Sequence, residues 1–160
     1  DVFLFSDSIL NNITLYNDNI SEEEVWNSIR KVGAEKFINS LPGKLSFNVK
    51  ERGGSLSVGQ RQLISCIRIM LYDPKIILLD EATSSVDSDT EFMIQNAISE
   101  ILKNRTSIVV AHRLSTIKEV DKIIVIESGE IKEVGNHDQL LKKRGFYYKL
   151  YQMQYKNISN

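Results

Sequence analysis

The sequence predicts an α/β protein in which a mainly parallel sheet follows a helical lobe. Three observations lead there. After residue 73, short apolar runs rich in β-branched residues alternate with an amphipathic helical stripe, the order of a strand–helix–strand unit. Before residue 73, the chain reads as nearly all helical. The only two prolines, Pro42 and Pro74, each punctuate a boundary, and Asp73-Pro74 divides the expected helical lobe, residues 1–72, from the expected α/β part, residues 73–160.

The elements follow in order. Residues 3–13, opening with Phe3-Leu4-Phe5, are apolar and aromatic without a clear amphipathic period and read as core packing. Ser21-Glu22-Glu23-Glu24 reads as a capping box that places acids on the positive end of a helix dipole, with Val25, Ile29 and Val32 at helical spacing behind it and Gly33 interrupting. A second short helix runs toward Asn39 and stops before Pro42-Gly43. Residues 45–54 read as a loop ending in Arg52-Gly53-Gly54. A helix then begins at Ser57 and runs to about Tyr72, apolar around much of its circumference and so expected to be largely buried. Ile76-Ile77-Leu78-Leu79 is expected to be a strand covered on both faces. Ser88-Asp89-Thr90-Glu91 reads as a second capping box, opening a helix striped by Ile94, Ala97, Ile98 and Ile101. Residues 107–111 are a second expected buried strand, and 114–120 a short helix. Strands at 122–126 and 131–134 flank the hairpin signal Ser128-Gly129. A helix at 139–143 ends in the basic run Lys142-Lys143-Arg144, read as a solvated helix end, and Gly145 separates it from a last helix striped by Phe146, Leu150 and Met153.

Composition narrows the function. The chain has 160 residues, 42% hydrophobic and 26% charged, enough for one packed domain. Its 20 basic and 21 acidic residues give a net charge of −1, which argues against a dedicated nucleic-acid binder. One cysteine, Cys66, excludes an internal disulfide framework and reads as a small buried residue. No apolar run approaches membrane-spanning length. The absent initiator methionine and abrupt apolar opening suggest a piece of a longer protein.

Three clusters could carry chemistry. Asp80 and Glu81 follow the apolar strand, and ligands of open α/β sheets bind beyond the carboxyl ends of strands. There Asp80 can hold a hydrated magnesium ion and Glu81 can orient or deprotonate a water, although acids also commonly end strands and cap the next helix. Leu56-Ser57-Val58-Gly59-Gln60 places a hydroxyl and free backbone N–H groups at a helix start, an anion site by chemistry; taken alone, it reads first as a plain N-cap with Gly59 incidental. His112, directly after Ile108-Val109-Val110-Ala111, would face the crevice of Asp80 and Glu81 if the strands are parallel neighbours. His137 lies in a polar segment and is given no role.

In order, the chain carries LSVGQ, an apolar strand ending in DE, ATSSVD and AHRLST. This ordered set resembles the nucleotide-binding domain of ATP-binding cassette (ABC) transporters, of the exporter type, over essentially the whole chain. The resemblance implies a partial P-loop NTPase-like core with a helical subdomain. It implies ATP and Mg2+ as ligands, with residues 56–60 as the signature motif: Ser57, Val58, Gly59 and Gln60 would face the γ-phosphate of a partner domain's ATP. By the same resemblance, Asp80 closes the Walker B strand and binds magnesium, Glu81 is the general base and His112 the switch histidine. Asp87 ends the D-loop, and Glu51-Arg52-Gly53 resembles the loop that touches the membrane domain. Residues 129–137 continue the exporter pattern. The implied partners are a second nucleotide-binding domain, in a homodimer or heterodimer, and a transmembrane domain upstream in the same chain, which would place this part at the cytoplasmic face of the membrane as a soluble segment. Residues 3–13 would add contact with the coupling helix.

Two departures stand out. Val58 occupies a place where the family often has Gly, and no G-x-x-x-x-G-K-[ST] phosphate loop occurs in the 160 residues. The resemblance places that loop, and the magnesium-binding glutamine, upstream of Asp1, so the fragment alone is expected to be inactive. Two competing readings are a soluble ATPase of the same superfamily, acting in DNA repair or on ribosomes, and a non-enzymatic interaction module. Upstream membrane-spanning stretches would argue for the exporter against the first. ATP binding by a chain extended upstream would argue against the second.

Overall fold

The first helix, α1 (Ile9–Thr14), starts where the Ser8 side chain accepts the Asn11 N–H, and it ends in two left-handed residues, Leu15 and Tyr16. The structure, a computed structural model, describes residues 2–80, 87–110, 117, 118 and 120–156. It divides into two compact units, Asp1–Leu78 with Thr83–Ile108, and Leu79–Ala82 with Val109–Asn160. No helix among the described residues is long and apolar enough to cross a membrane.

In the first unit, α2 (Glu22–Lys31) opens on the expected capping box: Ser21 Oγ accepts from Glu24 N, and Glu24 Oε2 accepts from Ser21 N at 2.8 Å. Val25, Ile29 and Val32 are buried, and Gly33 leaves the helix at φ 71°, a left-handed conformation that glycine adopts without strain. α3 (Glu35–Ser40) buries Phe37 and Ile38 and stops before Pro42. The expected loop contains two 3₁₀ turns, Lys44–Ser46 and Glu51–Gly53. It is stitched to the chain ahead of α1 by Ile9 N–H to Phe47 O at 2.9 Å and Val49 N–H to Asp7 O at 3.0 Å.

The 15-residue α4 (Val58–Tyr72) is the strut of this unit, in contact with α1, α2 and the later helix α5 (Ser88–Leu102). Leu63, Ile64 and Ile67 on its inner face are fully buried, and Cys66 is buried as expected. The helix ends at Asp73, left-handed at φ 44°, whose carboxylate takes the Arg105 guanidinium at 2.6 Å. Arg105 also donates to Ile101 O at the end of α5, so the carboxyl ends of both helices are tied to one side chain.

Strands β1 (Ile76–Asp80) and β2 (Thr106–Val110), joined through α5, form a two-stranded parallel sheet, the strand–helix–strand unit expected. Their burial differs from expectation. Ile77 joins the core with Ile94, Ala97 and Ile101, but Ile76, Leu78, Ile108 and Val110 are exposed. A strand sends alternate side chains to opposite faces, and only one face here meets a packed layer. The cap of α5 also differs. Asp87, not Ser88, is the N-cap, its carboxylate accepting the Thr90 N–H at 2.9 Å. The stripe behind it is as expected, with Ile98 half-buried beside the three core residues. Because α5 packs on α4, the first unit continues past Asp73-Pro74, and the units part within β1 and β2.

In the second unit, β3 (Ile123–Glu127) and β4 (Glu130–Gly135) form an antiparallel hairpin with a register irregularity at Val125 and Ile126. The Ser128-Gly129 turn has φ 52° and 79°, the left-handed pair of a type I′ turn. α6 (His137–Lys143) is capped by Asn136 and Gln139, and α7 (Phe146–Lys156) follows. Lys142, Lys143 and Arg144 are exposed. The core of this unit is Val125, Leu140 and Tyr147. The expected stripe on α7 is overturned: Phe146, Leu150 and Met153 are exposed, and Tyr147 faces inward. Two polar bonds explain the rotation. The Tyr147 N–H donates to Glu133 Oε2 at 2.8 Å, and its hydroxyl meets His137 Nδ1 at 2.6 Å, engaging a histidine to which the sequence assigned nothing. Of the expected 114–120 helix, only Ile117 and Lys118 are helical among the described residues.

Two measurements test this packing. Leu63→Ala should lower unfolding stability by about 2–5 kcal/mol, read from urea denaturation, because its cavity opens in the centre of the unit. Burial pushes the Cys66 thiol up to about 12, so Ellman's reagent at pH 8 should react with it only after denaturant is added.

Candidate functional site

The start of α4 is built by two reciprocal bonds. Ser57, extended at φ −66° and ψ 165°, accepts the Gln60 N–H on its hydroxyl at 3.2 Å, while Gln60 Oε1 accepts the Ser57 N–H at 3.0 Å. Leu56 is buried immediately before the cap, and the Arg61 guanidinium donates to Leu56 O at 2.8 Å, which fixes the entry of the chain. Gly59 turns inward and is buried, whereas Ser57 is exposed and Val58 is 44% exposed. Val58 thus projects into solvent, and its side chain leaves the turn open. The helix itself supplies no partner for the N–H groups of Val58 and Gly59, which sit at the positive end of its dipole. An exposed hydroxyl with such N–H groups can hold an anion.

The turn ahead of this cap is narrow. Gly53 lies at φ 71°, and a Cβ there would fall 2.9 Å from Leu4 Cδ1 and 2.9 Å from Arg61 Cδ. Only glycine lets the Glu51-Arg52-Gly53 turn approach both.

Two other candidates stand at element ends. Asp87 is exposed at the head of α5, and the N–H of Thr90 holds its carboxyl below the usual carboxylate range. Asp80 closes β1 with its side chain exposed. A carboxylate oxygen is the hard donor that magnesium prefers, so the chemistry of Asp80 fits that ion. Glu81, His112 and Ser84-Ser85-Val86 lie outside the described residues. The structure brings together Ser57, Val58, Gly59 and Gln60 at one helix start, and Asp80 and Asp87 each stand at an element end.

The sequence reading missed a polar knot behind this site. Arg68, in the middle of the apolar α4, donates to Asn12 O at 2.5 Å, Asn12 Oδ1 at 3.2 Å and Phe3 O at 3.0 Å. Asn12 is fully buried and in turn binds Phe5 N, Phe5 O and Ser8 O. Tyr72 adds a hydroxyl bond to Thr14 O. Burial pulls the Arg68 pKa below its ordinary value, which is the mark of a cation taken partly out of water. A signal was present: an arginine inside an apolar helical run, and an asparagine inside Ile9-Leu10-Asn11-Asn12-Ile13, both need buried partners.

Comparison with known proteins gives this geometry a family. The ABC transporter family profile matches residues 2–84. The chain is 51% identical over 155 residues to the ABC transporter ATP-binding protein YknV of Bacillus subtilis, covering 97% of this chain and 26% of that protein. It is 43% identical over 150 residues to a fatty acid ABC transporter ATP-binding/permease protein of Mycobacterium tuberculosis, covering 94% of this chain and 24% of that one. Among solved structures, a bacterial Atm1-family ABC exporter with ATP bound superposes with a TM-score of 0.83 at 37% identity, over 96% of this chain and 27% of the exporter chain. The chain thus spans about a quarter of the length of the relatives it matches. With a family match over more than half of its residues and a solved relative of the same fold, this chain belongs to the ABC transporter family.

Proposed function

We propose that the chain is the C-terminal portion of the ATP-hydrolysing domain of an ABC exporter, with residues 1–72 as its helical subdomain and 73–160 as part of its ATPase core. The observation that carries this reading is the exposed, doubly bonded start of α4, where Ser57 faces solvent with the helix dipole behind it. It is supported by relatives whose names join ATP binding to a permease and by likeness to an exporter with ATP bound.

In this reading two such domains meet head to tail. The Ser57 hydroxyl and the N–H groups of Val58 and Gly59 grip the γ-phosphate of ATP held by the other domain, and Gln60 braces the cap that presents them. Asp80 holds magnesium, which when bound neutralises phosphate charge. Glu81 accepts the proton of the water attacking in line, and His112 donates a hydrogen bond to the γ-phosphate while holding that water in place. Asp87, at the head of α5, couples the two composite sites. The Glu51-Arg52-Gly53 turn and the exposed Phe3 and Phe5 face the membrane part, on the cytoplasmic side. Positioning and charge stabilisation supply most of the rate in such phosphoryl transfer.

In the full-length protein, Glu81→Gln should lower ATPase turnover by at least about 100-fold while leaving ATP-dependent dimerisation intact. Turnover near the unsubstituted rate removes Glu81 from the role of base. The 160 residues alone, without a G-x-x-x-x-G-K-[ST] run, should release no phosphate from Mg-ATP. Magnesium-dependent turnover by the purified chain would contradict the composite-site reading.

A further inference from the structure

Residues 3–16 and the Ser57 turn are far apart in sequence but share one mechanical connection. On the surface of this segment, Phe3 meets Phe5 edge-on at 5.1 Å between centroids, and Phe5 meets Tyr16 at 5.5 Å. All three rings are exposed. The backbone beneath them hangs from Asn12, whose amide spans Phe5 and Ser8, and Asn12 hangs from Arg68. Arg68 reaches Phe3 O directly as well. It lies about three turns, or about 16 Å, along α4 from Ser57. A helix whose inner face is fully buried moves as a body, so a pull on Ser57 displaces the guanidinium, and the guanidinium carries the carbonyls it holds.

We propose that Arg68 is a positioning residue: through the carbonyls of Asn12 and Phe3 it locks the exposed face of Phe3, Phe5 and Tyr16 to helix α4, so that movement at Ser57 is delivered to that face. The proposal rests on the reading of Ser57 as an ATP-phosphate contact and adds the route by which that contact is felt elsewhere. The fork geometry matters. Three acceptors in two chain segments are spanned by one rigid planar group, which a lysine, a single point of charge on a flexible stem, does not reproduce. Arg68 touches no substrate in this scheme; it acts through Asn12 and Phe3. The packing of Leu4 at Gly53 holds the same segment near the head of α4 and leaves Arg68 as the polar joint.

The test is hydrogen exchange of the full-length protein with and without Mg-ATP, following peptides over residues 3–16 and 57–64. In the unsubstituted protein, ATP should slow exchange in both. In Arg68→Lys, the ATP response at 57–64 should persist while that at 3–16 falls by about twofold or more. A merely structural defect would instead raise exchange in both segments irrespective of ATP. Equal ATP responses in the variant and the unsubstituted protein overturn the proposal, as does an unsubstituted protein that responds at 57–64 but not at 3–16. If neither segment responds in the unsubstituted protein, the nucleotide reading of Ser57 fails and the proposal with it. Should Arg68→Lys not fold, Arg68→Gln, which keeps a polar group at this place on α4 but cannot span Asn12 O and Phe3 O together, is read against the same outcomes.

Discussion

Helix α4 buries Leu63, Ile64 and Ile67 against α1, α2 and α5, and in the same span it must satisfy the guanidinium of Arg68. These two demands act together on the first unit. Apolar burial alone is non-directional and would tolerate several placements of residues 3–14. A partly buried cation is not so tolerant, because each unmet donor costs free energy in a low-dielectric setting. The carbonyls of Phe3 and Asn12 are drawn to one place, and the stretch from Phe5 to Ser8 closes around the Asn12 amide. The register of the aromatic segment therefore follows from a charge on a helix more than fifty residues later.

Several helix starts share one device. The Ser57–Gln60 pair and Asp87 use the device that also starts α2 and α6: a side-chain oxygen accepts an N–H that the helix leaves unbonded. At Ser21 and Asn136 it closes the start of a shorter helix. At Ser57 the same geometry holds a hydroxyl in the open at the positive end of a 15-residue helix, the feature on which the proposed phosphate contact rests. The Gly53 turn supports it from behind, with room for no side chain between Leu4 and Arg61.

Much of this was legible because it is local. The capping box at Ser21 and Glu24, the end of α4 at Asp73, and the Ser128-Gly129 hairpin depend on residues two to four apart in sequence, and each stands where its residues indicate. The candidate site residues were picked out in a different way, through the order of motifs from Ser57 to His112, which points to the family without stating any distance. What failed was burial. The apolar run Ile76-Ile77-Leu78-Leu79 predicts a strand covered on both faces, yet Ile76 and Leu78 stand exposed beside buried Ile77. On α7 the apolar stripe predicts the inner face, yet a tyrosine bonded to Glu133 and His137 takes that position. The cap of α5 moved by one residue because the carboxylate of Asp87 reached the Thr90 N–H and left Ser88 as the first helical residue.

By itself the sequence determined the helices, the strand–helix–strand order, the hairpin turn and membership in the ABC transporter family, since all of these rest on periodicity, turn chemistry and the order of short motifs. Tertiary structure alone decided which strand and helix faces are covered, and it alone joined Arg68 to Asn12 and Phe3. The physical reason is one of range. Backbone conformation is set by neighbours along the chain, whereas burial and the satisfaction of a buried charge depend on partners that only the folded chain brings near.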